Sequence, residues 1–168
     1  MLSTQDKTRI DDTRIASVRP LMTPALLEER LPATPAHLAL VESSRKAISD
    51  VLQGRDDRLV VVVGPCSIHD HDQAIDYARR LKAEADKHAK DLIVVMRVYF
   101  EKPRTTVGWK GYINDPHLDG SFAMNEGLEM ARKLLLDIID LGLPVATEFL
   151  DLLSPQFISD LVTWGAIG

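Results

Sequence analysis

The chain has 168 residues, enough for one ordinary domain, and 45% of them are hydrophobic, so a sizeable core is possible. Its formal net charge of −5 argues against a general nucleic-acid binder, which normally needs a basic face. No apolar run has the length of a membrane span, the first residues are too charged for a signal peptide, and one cysteine excludes an internal disulfide, so we expect a cytoplasmic protein.

The first 57 residues are predicted to form an amino-terminal arm followed by a helical extension. Two stretches, "TPALLEER" and "TPAHLALVESSRKAISDVLQG", each open with Thr-Pro, a pair that supplies an N-cap and a first helical residue. In the second stretch Gly54 is placed to end the helix. Its predicted core face consists of Leu38, Val41, Ile48 and Leu52.

Residues 58–168 alternate between strand and helix patterns. Strands are predicted at 59–63, 92–98 and 144–149, with a fourth beginning at "AIG", and the run "LVVVV" is typical of a parallel strand covered on both faces. A helix capped by Asp70, a second that Gly142 ends and a third over 154–165 separate them, and an unusually long connection runs from the second strand to about residue 122. This order predicts an α/β fold with a parallel sheet.

Chemically reactive side chains follow each of the three complete strands. Cys66 follows the first strand, Arg97 ends the second and Glu148 ends the third. Because the carboxyl ends of parallel strands share one edge, we expect these groups to converge. Four cations opposed by one carboxylate give residues 97–110 a local charge of +3, and Thr105 and Thr106 add hydroxyl donors. This pattern predicts a pocket for small anions such as phosphates.

Each of these residues also has a purely structural interpretation. Arg97 could turn to solvent, Lys102 and Arg104 could lie on a solvated loop, Cys66 could be a small buried hydrophobe, and Glu148 could form a structural ion pair. The "HDHD" stretch (69–72) resembles a metal box, but helix capping explains its two aspartates better. The isolated histidines are interpreted as surface residues: His37, His88 and His117.

Taken together, the motifs "GPCSIHD", "MRVYFEKPRTTVGWKGYINDPHLDGSF", "GLPVATEFLD" and "WGAIG" resemble the class I, bacterial-type 3-deoxy-D-arabino-heptulosonate 7-phosphate (DAHP) synthases. The resemblance implies a (β/α)₈ barrel that condenses phosphoenolpyruvate with erythrose 4-phosphate, at the opening of the shikimate pathway. It further implies a divalent metal of the Mn, Fe, Co or Zn type, feedback inhibition by an aromatic amino acid, and a homo-oligomer.

The resemblance assigns roles to individual residues. Cys66 would be a metal ligand, Arg97 would hold phosphoenolpyruvate, and Glu148 would sit beside that substrate and its attacking water. Lys102 would lie between the two substrates. The erythrose 4-phosphate site would be lined by Lys102, Pro103, Arg104 and Thr105, and an effector site would include Asp11, Asp12, Pro155 and Gln156.

A complete (β/α)₈ barrel needs about 250 residues and eight strands. This sequence supplies three β/α units and the opening of a fourth strand, and the family's other metal ligands would come from later strands. We therefore expect an incomplete barrel that is inactive and poorly folded alone. Two rival functions stay open: an aldolase using Lys102 or Lys110 as a Schiff base, and a non-catalytic fragment that binds an aromatic amino acid or pairs with a full-length subunit.

Overall fold

The computed structural model describes residues 13 and 15, and then residues 18–103 and 106–168. Helix α1 (Pro24–Arg30) and helix α2 (Pro35–Leu52) precede strand β1 (Leu59–Val63), helix α3 (His71–Lys87) and strand β2 (Leu92–Arg97). Helix α4 (Met124–Asp140), strand β3 (Val145–Phe149), the single turn α5 (Pro155–Ile158), a 3₁₀ turn (Ser159–Leu161) and strand β4 (Trp164–Ile167) follow. Among the helices described, none combines the length and apolar character that a membrane span requires.

The predicted helix starts are confirmed by the caps. The Thr23 hydroxyl accepts from the backbone N–H of Leu26, and Asp70 accepts from that of Gln73 at 2.8 Å. At α2 the Thr34 hydroxyl accepts from the His37 N–H at 3.2 Å, while the His37 ring accepts from the Thr34 N–H at 3.1 Å. Such reciprocal caps satisfy backbone donors that the first helical turn leaves open.

The four strands form one parallel sheet in the order β1-β2-β3-β4. Val63 pairs with Met96, and Arg97 pairs with Ala146, so the carboxyl ends of the first three strands lie side by side. The predicted α/β fold is therefore confirmed, as a half-barrel preceded by helices. The expected boundary between residues 57 and 58 falls between α2 and β1, and the division into two domains there stays a prediction.

The two faces of the sheet pack against different helices. Met96 and Val145 face outward and join α3 and α4 in the main core, to which α4 contributes most of its buried residues. Residues of the opposite parity, Ile93, Val95 and Ala146, face inward and pack against Ile48 of α2. Because side chains alternate along a strand, Arg97 and Glu148 continue this inner face toward the carboxyl ends.

Burial was predicted wrongly for β1 and for part of α2. Leu59 is 67% exposed and Val62 and Val63 are also exposed, because β1 has one strand neighbour within the part of the chain that the structure describes. On α2, Val41 and Ile48 are buried as predicted. The helix ends of the predicted core face, Leu38 and Leu52, are exposed instead.

The helix predicted over 154–165 is also wrong in its length. It consists of one α-helical turn and one 3₁₀ turn, and the chain is extended again from Trp164. Arg45 of α2 donates to the carbonyls of Ser159 (2.7 Å) and Val162 (3.1 Å), which draws them away from helical hydrogen bonding. β-Branched Val162 and Thr163 also favour the extended backbone that leads into β4.

The long connection after β2 folds back on itself. Glu101 and Gly111 form an antiparallel bridge, and the buried rings of Phe100 and Tyr112 stack with centroids 6.1 Å apart. A β-carbon at Gly111 would lie 2.2 Å from the carbonyl oxygen of Phe100, and its φ of +107° is one that other residues rarely adopt. Phe100, Tyr112 and Ile113 of this connection are thus part of the main core.

Candidate active site

The end of β1 lies directly against the end of β2. Gly64 follows the paired residue Val63, and a β-carbon there would lie 2.4 Å from the Arg97 carbonyl oxygen and 3.0 Å from the Arg97 β-carbon. Only glycine allows this approach without displacing the backbone. From Gly64 the chain continues through Pro65 to Cys66, whose side chain is a free thiol in an exposed position.

Lys102 belongs to the connection after β2, and its side chain contacts the segment that follows β1. Its Nζ donates to the backbone carbonyl of Cys66 at 3.0 Å and lies 3.7 Å from the Cys66 Sγ. The neighbouring Pro103 is exposed. The structure therefore brings Cys66 and Lys102 together, although they lie 36 residues apart in the sequence.

Arg97 carries a second cation to the same edge. Its guanidinium carbon lies 4.0 Å from the centroid of the Tyr99 ring, and the side chain is half-buried. A cation over an aromatic face is attracted by the ring and loses little of its ability to bind an anion at its edge. Arg97 thus does not simply turn to solvent, as its structural interpretation proposed.

Glu148 lies on the same face as Arg97. Arg97 is paired with Ala146, and Glu148 lies two residues further along β3, which is about 7 Å in a parallel strand. Its Oε1 would lie 3.2 Å from a β-carbon at Gly168, so this carboxylate stands beside the end of β4. Cys66, Arg97, Lys102 and Glu148 therefore share the carboxyl edge of one sheet, as the strand pattern predicted.

The remaining predicted site residues are those assigned to erythrose 4-phosphate and to the effector. Asp11 and Asp12, and also Arg104 and Thr105, fall outside the described residues. Pro155 is half-buried at the start of α5, and the Gln156 side chain donates to the Leu152 carbonyl at 3.1 Å. Their part in an effector site stays a prediction.

Sequence reasoning missed the buried carboxyl of Glu101, which is only 7% exposed. Ser154 Oγ donates to its Oε2 at 3.1 Å, Asn114 donates to its Oε1 at 3.4 Å, and a further hydrogen bond joins it to the Asp151 carboxyl. Burial, and then the carboxylate of Asp151, raise the pKa of Glu101 to about 7. In the sequence Glu101 was only a counter-charge, and its position directly after buried Phe100 was the one available signal.

The "HDHD" stretch caps α3 through Asp70, as the capping interpretation predicts, and contacts α4 through His71. Asp70 caps α3, and the His71 ring lies 2.9 Å from the Asp137 carboxylate on α4. The surface interpretation holds for His88 and His117 but is wrong for His37. The His37 ring is buried, because its Nδ1 accepts within the α2 cap and its Nε2 donates to Asp140 at 2.6 Å.

The described residues at this edge do not by themselves form a site for a divalent metal. Across residues 18–103 and 106–168, no three His, Cys, Asp or Glu side chains are placed so that they could hold a metal ion together. Cys66 offers one soft ligand, whereas a protein site for such metals needs about four. A complete site would thus need ligands from outside the described residues.

Comparison with known proteins agrees with the geometry. The profile of the DAHP synthetase I family matches residues 31–168. A phospho-2-dehydro-3-deoxyheptonate aldolase of Amycolatopsis methanolica is 59% identical over 159 residues, which are 95% of this chain and 78% of that protein. The Phe-sensitive enzyme of that name from Escherichia coli K12 is 58% identical over 158 residues, 94% of this chain and 45% of that protein.

A solved structure gives the same result in three dimensions. The phospho-2-dehydro-3-deoxyheptonate aldolase of Francisella tularensis SCHU S4 superposes with a TM-score of 0.88 at 51% identity. The match covers 92% of this chain and 46% of that protein. The chain thus spans a little under half the length of the Escherichia and Francisella proteins.

Proposed function

This chain belongs to the DAHP synthetase I family, and on that premise we propose that its protein condenses phosphoenolpyruvate with erythrose 4-phosphate and water. The products would be DAHP and inorganic phosphate. The observation that carries the proposal is the convergence of Arg97 and Lys102, two cations from different segments, at the carboxyl edge of the sheet beside Cys66.

Two phosphorylated anions repel each other, so an enzyme that joins them must place fixed positive charge between and around them. We assign Arg97 to phosphoenolpyruvate, because a guanidinium can bind a carboxylate or phosphate with two parallel hydrogen bonds. Lys102 is assigned to the space between the substrates, because its ammonium can contact both. Pro103, Arg104 and Thr105 follow it in the chain and are assigned to erythrose 4-phosphate.

Glu148 is assigned to the water that the reaction consumes. The enol carbon of phosphoenolpyruvate forms a bond to the aldehyde carbon, water adds to the neighbouring carbon, and phosphate leaves. A carboxylate on the same face as Arg97 can orient that water and accept its proton. Arg97 would meanwhile keep the leaving phosphate bound by charge.

We also propose that the protein requires a divalent metal of the Mn, Fe, Co or Zn type, with Cys66 as one ligand. Such an ion supplies Lewis-acid polarisation of an aldehyde when bound. Its other ligands would lie outside the described residues. Loss of activity in a chelator, restored by added divalent metal, is the expected result.

Regulation and assembly belong to the same proposal. The Escherichia coli relative is named Phe-sensitive, which supports feedback inhibition by an aromatic amino acid. Pro155 and Gln156, together with Asp11 and Asp12, are proposed to contribute to the effector site, and a homo-oligomer and a cytoplasmic location are proposed with them. Calorimetric titration with Phe, Tyr and Trp in turn identifies the effector.

The test of function is DAHP formation by the full gene product that contains these residues. Turnover of both substrates that Lys102→Met reduces at least 100-fold, with the exposed Lys90→Met unaffected, is the expected result. The 168 residues expressed alone should show no turnover. Borohydride trapping of a substrate on lysine would support the Schiff-base rival. Binding of Phe, Tyr or Trp without any turnover would support the non-catalytic one.

A further inference from the structure

Glu101 links two segments that both serve the candidate active site. Along the chain it immediately precedes Lys102 and pairs with Gly111, so it stands at the base of the cationic segment, which we define as residues 102–103 and 106–110. Across space its side chain binds Ser154 and Asp151, which belong to the turn after β3, residues 150–154. That turn begins two residues after Glu148.

The contacts of Glu101 depend on a proton. A protonated carboxyl donates one hydrogen bond and accepts others, so it can donate to the Asp151 carboxylate while it accepts from Ser154 and Asn114. An ionised Glu101 only accepts and would place two carboxylates in contact. Asp151 already accepts from the backbone N–H groups of Leu153 and Ser154, and the Ser154 hydroxyl is a further donor beside it.

We propose that Glu101 is a positioning residue: its protonated carboxyl fastens the cationic segment to the turn after β3, and its ionisation loosens that attachment. Its consequence for erythrose 4-phosphate binding rests on the proposed function, whereas the attachment itself does not. Loosening would move Lys102 relative to Arg97 and Glu148. The arrangement thus links the order of a substrate-binding segment to pH near neutrality.

The charges around Glu101 favour a proton near pH 7. Asp151 is the facing titratable group from the turn after β3, while Ser154 and Asn114 are neutral donors. Within the described part of the connection the lysines are Lys102, whose ammonium is directed to Cys66, and Lys110, whose carbonyl accepts from the Asn114 side chain. Burial and Asp151 outweigh the two neutral donors, which is why the pKa of Glu101 rises to about 7.

Trp109 provides a local probe of the attachment. Its indole N–H donates to the Asp115 carbonyl at 2.7 Å, and its ring packs against the main core from within the cationic segment. The full gene product would be labelled with 5-fluorotryptophan, and the Trp109 resonance would be identified as the one that Trp109→Phe removes. Its ¹⁹F shift would then be followed from pH 5.5 to 8.5 without any substrate.

The attachment predicts a titration of the Trp109 resonance with a midpoint near pH 7. Glu101→Gln, which keeps an amide donor, should hold the resonance at its low-pH position throughout. Asp151→Asn removes the facing negative charge and should move the midpoint down by about one pH unit. Glu42→Gln changes an exposed carboxyl of α2 and should leave the titration as in the parent protein.

The result separates this proposal from the proposed function. A Trp109 resonance that does not titrate, or that titrates equally in Glu101→Gln, overturns the attachment whether or not DAHP is made. If the Trp109 resonance titrates as described, the second measurement is the KM for erythrose 4-phosphate at pH 6.5 and at pH 8. From pH 6.5 to pH 8 the KM of the parent protein should rise several-fold more than the KM of Glu101→Gln. In both proteins kcat should change less than KM. Correct titration without turnover would refute the proposed function and leave the attachment standing.

Discussion

Arg132 of α4 should contribute more to stability than any exposed ion pair of this chain. Its side chain is 1% exposed, and the guanidinium donates to both carboxylate oxygens of Asp160, at 2.7 and 2.8 Å. It also donates to the Leu31 carbonyl at 2.8 Å and the Phe157 carbonyl at 2.9 Å. One buried side chain of α4 thus joins the end of α1, the single turn α5 and the 3₁₀ turn.

Replacing Arg132 by methionine keeps most of the volume and removes all four hydrogen bonds. Removing one partner of a buried ion pair typically costs about 3–5 kcal/mol, because the remaining charge loses its compensation. Asp160 is 30% exposed and can regain some water, so we expect a loss of about 3 kcal/mol, at the lower end. The measurement is the free energy of unfolding from urea titration of the full gene product, followed by circular dichroism.

Arg30→Met is the matched control. Arg30 also pairs with a carboxylate of α4, that of Glu129, but the two side chains are 54% and 36% exposed, so the loss should be about 0–1 kcal/mol. The double variant Arg132→Met with Asp160→Leu removes both charges and should regain part of the loss. Equal losses in Arg132→Met and Arg30→Met would refute the reasoning.

Three further predictions concern the connection after β2 and the chain as a whole. The folded pKa of Glu101, about 7, lies above its ordinary value of 4.5, so the folded protein keeps a proton that the unfolded chain releases between those values. The free energy of unfolding should therefore fall by about 2–3 kcal/mol as pH rises from 4.5 to 7 and then level off, a slope that Glu101→Gln removes. Gly111→Ala should destabilise the protein by more than 2 kcal/mol, about twice the loss in Gly120→Ala. Both glycines have a positive φ, but Gly120 (+75°) has open space around it, whereas a β-carbon at Gly111 would meet the Phe100 backbone. Thermal unfolding of both variants checks this. The 168 residues expressed alone should bind 1-anilinonaphthalene-8-sulfonate, because the edge strands leave Leu59 and Ile167 exposed; a chain that binds no dye and unfolds cooperatively would contradict it.

Local signals in the sequence predicted most of the architecture. Thr23, Thr34 and Asp70 precede helical patterns and do cap helices, because a cap depends on residues within one turn. The parallel order of the strands followed from their alternation with helices. Since parallel strands end at one edge, the meeting of Cys66 with Lys102 could be predicted before any contact was known.

The errors arose where burial depends on distant partners. Leu59 is apolar and lies in a strand, yet it is exposed because its strand has one neighbour among the strands that the structure describes. His37 is buried because Asp140, 103 residues away, accepts its ring proton. Glu101 has an unusual pKa because Ser154 and Asp151 enclose it, and neither contact has a local signal in the sequence.

Binding of phosphoenolpyruvate to the full gene product, measured by titration calorimetry, tests the central claim most directly. That claim is that the carboxyl edge of this sheet binds phosphorylated anions through Arg97. Charge-assisted hydrogen bonds contribute about 1.5–3 kcal/mol, so Arg97→Met should raise the Kd about 10- to 150-fold. Arg79→Met, on the exposed face of α3, should leave the Kd unchanged. Equal affinity in the parent protein and in Arg97→Met would contradict the account.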